Sequence, residues 1–142
     1  MAGFTLLELL VVLAIIGLLL VATPALISQA RPRLDARVAT WTLMEDLRAA
    51  RGLAIASGKE TQVVFNIRRD FYTTPPDSTM HRLPKRAVLE FRGPGREVSG
   101  SQAIIRFFPD GSSTGGQVRL TSGGSAHRIT AHWLTGRISV DD

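Results

Sequence analysis

No cysteine occurs among the 142 residues, which removes disulfides and thiolate-bound metals as ways of holding or equipping the fold. This absence fixes no compartment. Aromatic residues are scarce, with six Phe, two Trp and one Tyr, so few stacking platforms exist for single-stranded nucleic acid. The glycine-rich stretch Gly111–Gly116 lacks a Gly-Lys-Ser/Thr ending and should be followed by strands, so it reads as a hairpin loop with flexible glycines and not as a phosphate cradle. The histidines are His81, His127 and His132. His127 and His132 lie five positions apart, on opposite faces of one regular strand, and cannot share a metal there. No Ser-His-Asp set or carboxylate pair shows a recognisable spacing. The expectation is a non-enzymatic protein with no metal and no cofactor, a membrane-anchored enzyme requiring a catalytic cluster assembled only in space.

Charge is missing from the first 30 residues, with one exception. Glu8 sits alone in the apolar run from Phe4 to Ala22, and the nearest basic residue is Arg31. A carboxylate inside a bilayer-length apolar helix costs roughly 2.5–3.5 kcal/mol and normally has a partner. That partner must come from another molecule or from an amine made by processing. Cleavage after Gly3 would free an amine on Phe4, one helical turn from Glu8. A secretory signal would instead place its cleavage site after the apolar run, near Ala22–Ala30, and would leave Glu8 unexplained.

Gly3-Phe4-Thr5-Leu6-Leu7-Glu8 followed by an apolar run resembles the type IV prepilin signal. The resemblance implies a membrane peptidase that cuts between Gly3 and Phe4 and methylates Phe4. It also implies that Glu8 pairs with the terminal amine of a neighbouring subunit during filament assembly. Met1-Ala2-Gly3 would be the leader. It is short and lacks the Lys or Arg usual in that family, which points to a start upstream of Met1 or a trimmed chain.

Beyond the apolar run the chain divides into an amphipathic helix and a β-rich head. Leu34, Val38, Trp41, Met44, Leu47, Ala50 and Ala54 recur at steps of three and four, predicting a stripe that packs on the head. Gly58 is the expected stop. Pro24 and Pro32 should each perturb the helix, and Pro32 should bend or break it. The expected organisation is a leader at 1–3, a hydrophobic transmembrane or filament-core helix at 4–30, an amphipathic helix at 31–58 and a β head at 59–142.

After Gly58 the period becomes two. Strands are expected at Thr61–Ile67, Phe71–Thr73, Ala87–Phe91, Ala103–Phe108, Gln117–Leu120, Ala126–Leu134 and Arg137–Val140. Arg69-Asp70 should turn the first strand into the second. The proline-containing stretch Thr74–Arg86 reads as a loop. Trp41 belongs to the helix stripe, and Trp133 shares a strand face with Ile129 and Ala131, so both read as core. The fold class is α+β, with repeated turn signals favouring an antiparallel head.

Two head segments carry a second resemblance. Phe107-Phe108-Pro109-Asp110-Gly111-Ser112-Ser113-Thr114-Gly115-Gly116, followed by Thr135-Gly136-Arg137-Ile138, is similar to the domain of the pseudopilin H family of type II secretion. Leu47–Gly58 resembles the end of that family's helix. The family also includes some type IV pilus minor pilins. The resemblance implies a type IV pilin-like fold and an assembly subunit at or near the tip of a pseudopilus. Its partners would be other minor and major pseudopilins and the prepilin peptidase, with exported proteins and the outer-membrane secretin as further candidates. It would sit in the bacterial inner membrane as a single-pass protein with a periplasmic head, then enter the periplasmic pseudopilus after processing.

The alternative is a type IV pilus minor pilin acting in pilus initiation or DNA uptake. All 17 basic residues, 15 of them Arg, lie at or after Arg31, against 11 acids there. Under that alternative Arg68, Arg69, Arg82, Lys85, Arg86 and Arg137 form a nucleic-acid patch, joined by Arg92 and Arg96. DNA is the weaker reading. Some DNA-binding pilus relatives carry Gly-Arg-x-Arg, whereas Gly136-Arg137-Ile138-Ser139 has Ser139 in place of the second Arg.

Overall fold

The computed structural model describes the backbone of residues 5–141 and the side chains of residues 5–19, 34–95 and 97–141. Helix α1 spans Leu6–Ser57 without interruption. The expected break at Pro32 does not occur, and Pro24 does not end the helix either. Each proline removes one ladder hydrogen bond, and the neighbouring turns carry the helix through. Thr5 caps the N-terminus, its side chain accepting from the Glu8 amide at 3.2 Å. Gly58 closes the C-terminus with φ 64°, the left-handed conformation that glycine adopts most readily.

Nine strands follow: β1 Thr61–Asn66, β2 Phe71–Thr74, β3 Thr79–Arg82, β4 Val88–Arg92, β5 Val98–Ser99, β6 Gln102–Phe107, β7 Gly116–Ser122, β8 Ser125–Ala131 and β9 Ile138–Asp141. They form two antiparallel sheets, ordered β3-β2-β1-β6-β5 and β4-β7-β8-β9. In β1 the inward residues are Thr61, Val63 and Phe65, as the period of two requires. Phe65 lies opposite Tyr72 and Ala103 in the two flanking strands.

Three expectations about the head are corrected. Thr74–Arg86 is not a single loop, because Thr79–Arg82 pairs back onto β2 as an edge strand. The prolines at 75 and 76 mark the turn of that hairpin. The hairpin expected at Gly111–Gly116 is only local: the chain reverses at 108–112, with Phe107 bridging Ser113 and the Thr114 amide donating to the Arg106 carbonyl at 3.0 Å, and then crosses to the other sheet, because β6 and β7 belong to different sheets. The late strand stops at Ala131, and residues from His132 to Gly136 form a turn closed by the Gly136 amide on the His132 carbonyl at 2.8 Å.

The core lies between the C-terminal half of α1 and the sheets. Leu43, Met44, Leu47, Ala50 and Ala54 pack with Val63, Phe65, Tyr72, Leu89, Ile105, Phe107, Val118, Leu120 and Ile129. Polar contacts also fix the helix on the head. Thr61 Oγ1 donates to the Ala50 carbonyl at 2.8 Å, and Tyr72 OH donates to Asp46 Oδ2 at 2.6 Å.

The helix stripe also needs correction. Residues facing the head are Ala36, Thr40, Leu43, Leu47, Ala50 and Ala54, with Met44 beside them, whereas Leu34, Val38 and Trp41 are 53–65% exposed. The cause is helical geometry. At about 100° per residue, each step of three lags a full turn by about 60°. The run Trp41–Met44–Leu47–Ala50 takes three such steps, so a series that begins on one side of the helix ends near the other. Trp133 is likewise not core. It lies beyond the end of β8 and is 63% exposed.

Candidate functional site

The first candidate site is the N-terminal part of α1. Leu6, Leu7, Leu9, Leu10, Val11, Val12, Leu13, Ile15, Ile16, Leu18 and Leu19 are 46–82% exposed on all sides of the helix. Such surface requires lipid or other protein around it. Among the described residues, no helical stretch is long and apolar enough to cross a membrane; the described side chains of this half end at Leu19, inside the apolar run that continues to Ala22. Glu8 occupies the first turn, where a carboxylate complements the helix dipole. Thr5 and Glu8 also have the spacing of a capping box, and the Thr5 half of it is formed. This local role for Glu8 is compatible with a contact to a neighbour's amine. The expected cleavage and methylation positions, Gly3 and Phe4, lie outside the described residues. Leu34, Val38 and Trp41 add further exposed apolar side chains on α1, and Val38 lines a cavity with Tyr72, His81 and Leu83 of the head.

The six residues of the expected nucleic-acid patch do not form one surface. Arg68 and Arg69 occupy the exposed turn after β1, and Arg82 ends β3 opposite Phe71, so these three lie at one end of the first sheet. Lys85 and Arg86 are exposed in the connection just beyond Arg82. Arg137 is at the other end of the head. It precedes β9 and lines a cavity with Arg48 and Arg51 of α1. Strand β1, six residues or roughly 20 Å long, separates the two ends.

Other ionic groups stabilise the head. Arg106 joins Glu60 at 2.8 Å and Glu97 at 3.0 Å, and these carboxylates hold its guanidinium above its ordinary pKa. Tyr72 is buried, and desolvation followed by its hydrogen bond to Asp46 pushes its hydroxyl far above the usual value near 10. His81 stacks on the Tyr72 ring with centroids 4.9 Å apart, and its Nδ1 lies 3.4 Å from Asp46 Oδ2. No group of His, Asp and Glu suited to a metal occurs among the described residues.

A long N-terminal helix, apolar in its first half and laid across antiparallel sheets in its second, defines a type IV pilin-like subunit. The model of the Type II transport protein GspH family matches residues 39–135, and that of the prokaryotic N-terminal methylation motif matches residues 1–23. The chain belongs to the GspH family. It is 32% identical over 139 residues to Type II secretion system protein H of Xanthomonas campestris pv. campestris, covering 96% of this chain and 80% of that relative. The fold is similar to that of the minor pseudopilin EpsH from the type 2 secretion system of Vibrio cholerae, with TM-score 0.60 and 16% identity over 75% of this chain and 95% of that one. It is also similar to the type IV minor pilin FimU of Pseudomonas aeruginosa, with TM-score 0.58 and 12% identity over 78% of this chain and 90% of that one.

Proposed function

We propose that the chain is a minor pseudopilin of a type II secretion system, a non-enzymatic subunit placed at or near the pseudopilus tip. The observation that carries this reading is the near full-length match to Type II secretion system protein H of Xanthomonas campestris pv. campestris. The methylation-motif match supports processing between Gly3 and Phe4, with methylation of Phe4. The apolar surface of α1 supports two successive environments, first the inner membrane and then the helices of neighbouring pseudopilins. Glu8 would stay near the apolar environment and accept the amine of an adjoining subunit, where pairing is strong because the dielectric is low. The head would stand in the periplasm, and exported proteins and the secretin are the further partners this placement allows. The likeness to FimU is one of fold and does not by itself favour a pilus role.

The test is processing. Made with the prepilin peptidase of its own host, the chain should lose Met1–Gly3 and gain one methyl on Phe4, as read by intact mass and N-terminal fragmentation. A mature chain that begins after Ala22 would refute the assignment of the N-terminus.

A further inference from the structure

The end of the head around Arg137 brings Arg51 of α1 against two glycine turns. Arg51 lies between two glycines from distant parts of the chain, Gly111 and Gly136, which have φ of 84° and 62°. Its Nε donates to the Gly111 carbonyl at 2.9 Å. A Cβ on Gly111 would come within 2.9 Å of Nη2, and one on Gly136 within 2.7 Å of Nε. Only residues without a side chain leave room for the guanidinium, so two of the family-like segments noted in the sequence converge on this one arginine. The Nε bond uses one of five donors. Arg51 then lines an open cavity of about 510 Å³ together with Arg48, Arg137, Thr135, Gly136 and Ile138.

Three guanidinium groups and no carboxylate line that cavity. Arg48 is itself paired with Glu45 at 3.1 Å on the exposed helix surface, and Asp46 takes the Tyr72 hydroxyl, so the charge offered by the cavity is that of Arg51 and Arg137. Asp110 turns onto the Ser112 hydroxyl and amide at 2.6 and 2.9 Å, contacts that hold its carboxyl below the usual range. Like charges held together this way repel, and an incoming anion relieves the repulsion.

Exposed apolar residues share the turn with this charge. The turn that supplies Thr135, Gly136 and Arg137 also exposes Trp133 and Leu134, at 63% and 60%. Its backbone is pinned: Ser113 N–H donates to the Trp133 carbonyl at 2.8 Å, and His132 N–H to the Arg137 carbonyl at 2.9 Å. Ile55, also exposed, lies beside Gly111. Arginine and tryptophan on a rigid backbone are the residues on which protein interfaces concentrate their binding energy.

We propose that this end of the head, centred on Arg51 and Arg137 with Trp133 and Leu134 beside them, docks a protein segment presenting a carboxylate next to an aliphatic side chain. The guanidinium fork matches a carboxylate bidentately. A concave cavity centred on Arg51 and Arg137 suits one anion, whereas a nucleic-acid strand needs a basic track. Arg68, Arg69, Arg82, Lys85 and Arg86 lie at the opposite end of the head. The inference goes beyond membership of the secretion apparatus and does not depend on it.

The test uses the full chain in nonionic detergent micelles. The probe is a capped peptide, Ser-Gly-Leu-Asp-Leu-Gly-Ser, read by tryptophan fluorescence in Trp41→Phe, which leaves Trp133 as the reporter. Saturable binding is expected, weakened at least about tenfold by Arg137→Gln or by replacing the peptide's Asp with Asn, as for loss of a desolvated charge pair. Arg51→Gln should weaken binding as well, but it also loosens the turn, so exposed Arg137 decides. Equal binding of the Asp and Asn peptides, no effect of Arg137→Gln, or no binding up to about 1 mM peptide would overturn the proposal. So would a short oligothymidylate that binds more tightly than the peptide with the same dependence on Arg137.

Discussion

Replacing Gly136 with alanine tests the packing of helix, inter-sheet segment and turn around Arg51. The residue has φ 62°, and an added Cβ would overlap the Gly111 carbonyl oxygen and lie 2.7 Å from Arg51 Nε. A left-handed alanine costs about 1 kcal/mol relative to glycine. Displacing Arg51 breaks a charged-donor hydrogen bond, adding about 1.5–3 kcal/mol. The total is about 2.5–4 kcal/mol, a fall in Tm of roughly 10–20 °C for a head of this size. Gly124 supplies the control. Its φ is 80°, yet a Cβ there meets nothing within 4 Å, so Gly124→Ala should cost only about 1 kcal/mol, roughly 5 °C. Circular dichroism melts of the intact chain in micelles, with urea titration as a check, would measure both. Equal losses from the two substitutions would refute the argument, because the backbone conformation alone would then account for the effect.

Further outcomes follow from the polar anchors and the helix packing. Tyr72 is the only tyrosine, and its hydroxyl is held protonated in the folded state by burial and Asp46. Above pH about 10 the unfolded chain loses that proton while the folded chain keeps it, so stability should fall by about 1.4 kcal/mol per pH unit. Tyr72→Phe should remove this term from the alkaline urea-unfolding profile, and parallel wild-type and variant curves would contradict it. Arg106→Gln strips the guanidinium from Glu97, which is 6% exposed, and should cost about 2–3 kcal/mol by denaturant unfolding, against less than about 1 kcal/mol for the exposed pair removed by Arg48→Gln. A chain beginning at Lys59 loses Leu43, Met44 and Leu47 from the core, each worth about 1.5–3 kcal/mol. Set against a total stability of about 5–15 kcal/mol, that head should aggregate where one beginning near Arg31 stays soluble by size-exclusion chromatography.

Period and turn chemistry made much of the fold legible. The alternation Thr61–Val63–Phe65 located β1 and its inward face, and Gly58 marked the end of α1. The prolines at 75 and 76 concealed β3 because its four residues are mostly exposed and show no alternation. Sheet membership is a long-range property, so nothing local showed that the hairpin turn before Gly115 leads into the other sheet. Trp133 looked like core because the strand was expected to run past it, whereas β8 ends at Ala131, and a wheel allowed to drift by repeated steps of three hid the exposure of Trp41. Glu8 stood out through its isolation in an apolar run. The arginine cavity did not, because Arg48 and Arg51 are far in sequence from Arg137. Their meeting depends on glycines at 111 and 136, whose role becomes visible only when α1 and the turn lie side by side.

The central claim is that this chain serves type II secretion. Its coding sequence should be deleted in the native bacterium and restored on a plasmid, with type II-exported enzyme activities measured in the culture medium and in the periplasm. Twitching motility and DNA uptake should be scored in parallel. The account predicts that exported enzymes accumulate in the periplasm of the deletion strain, that the wild-type chain restores export, and that motility and uptake are unchanged. Normal export with loss of pili or of DNA uptake would contradict it.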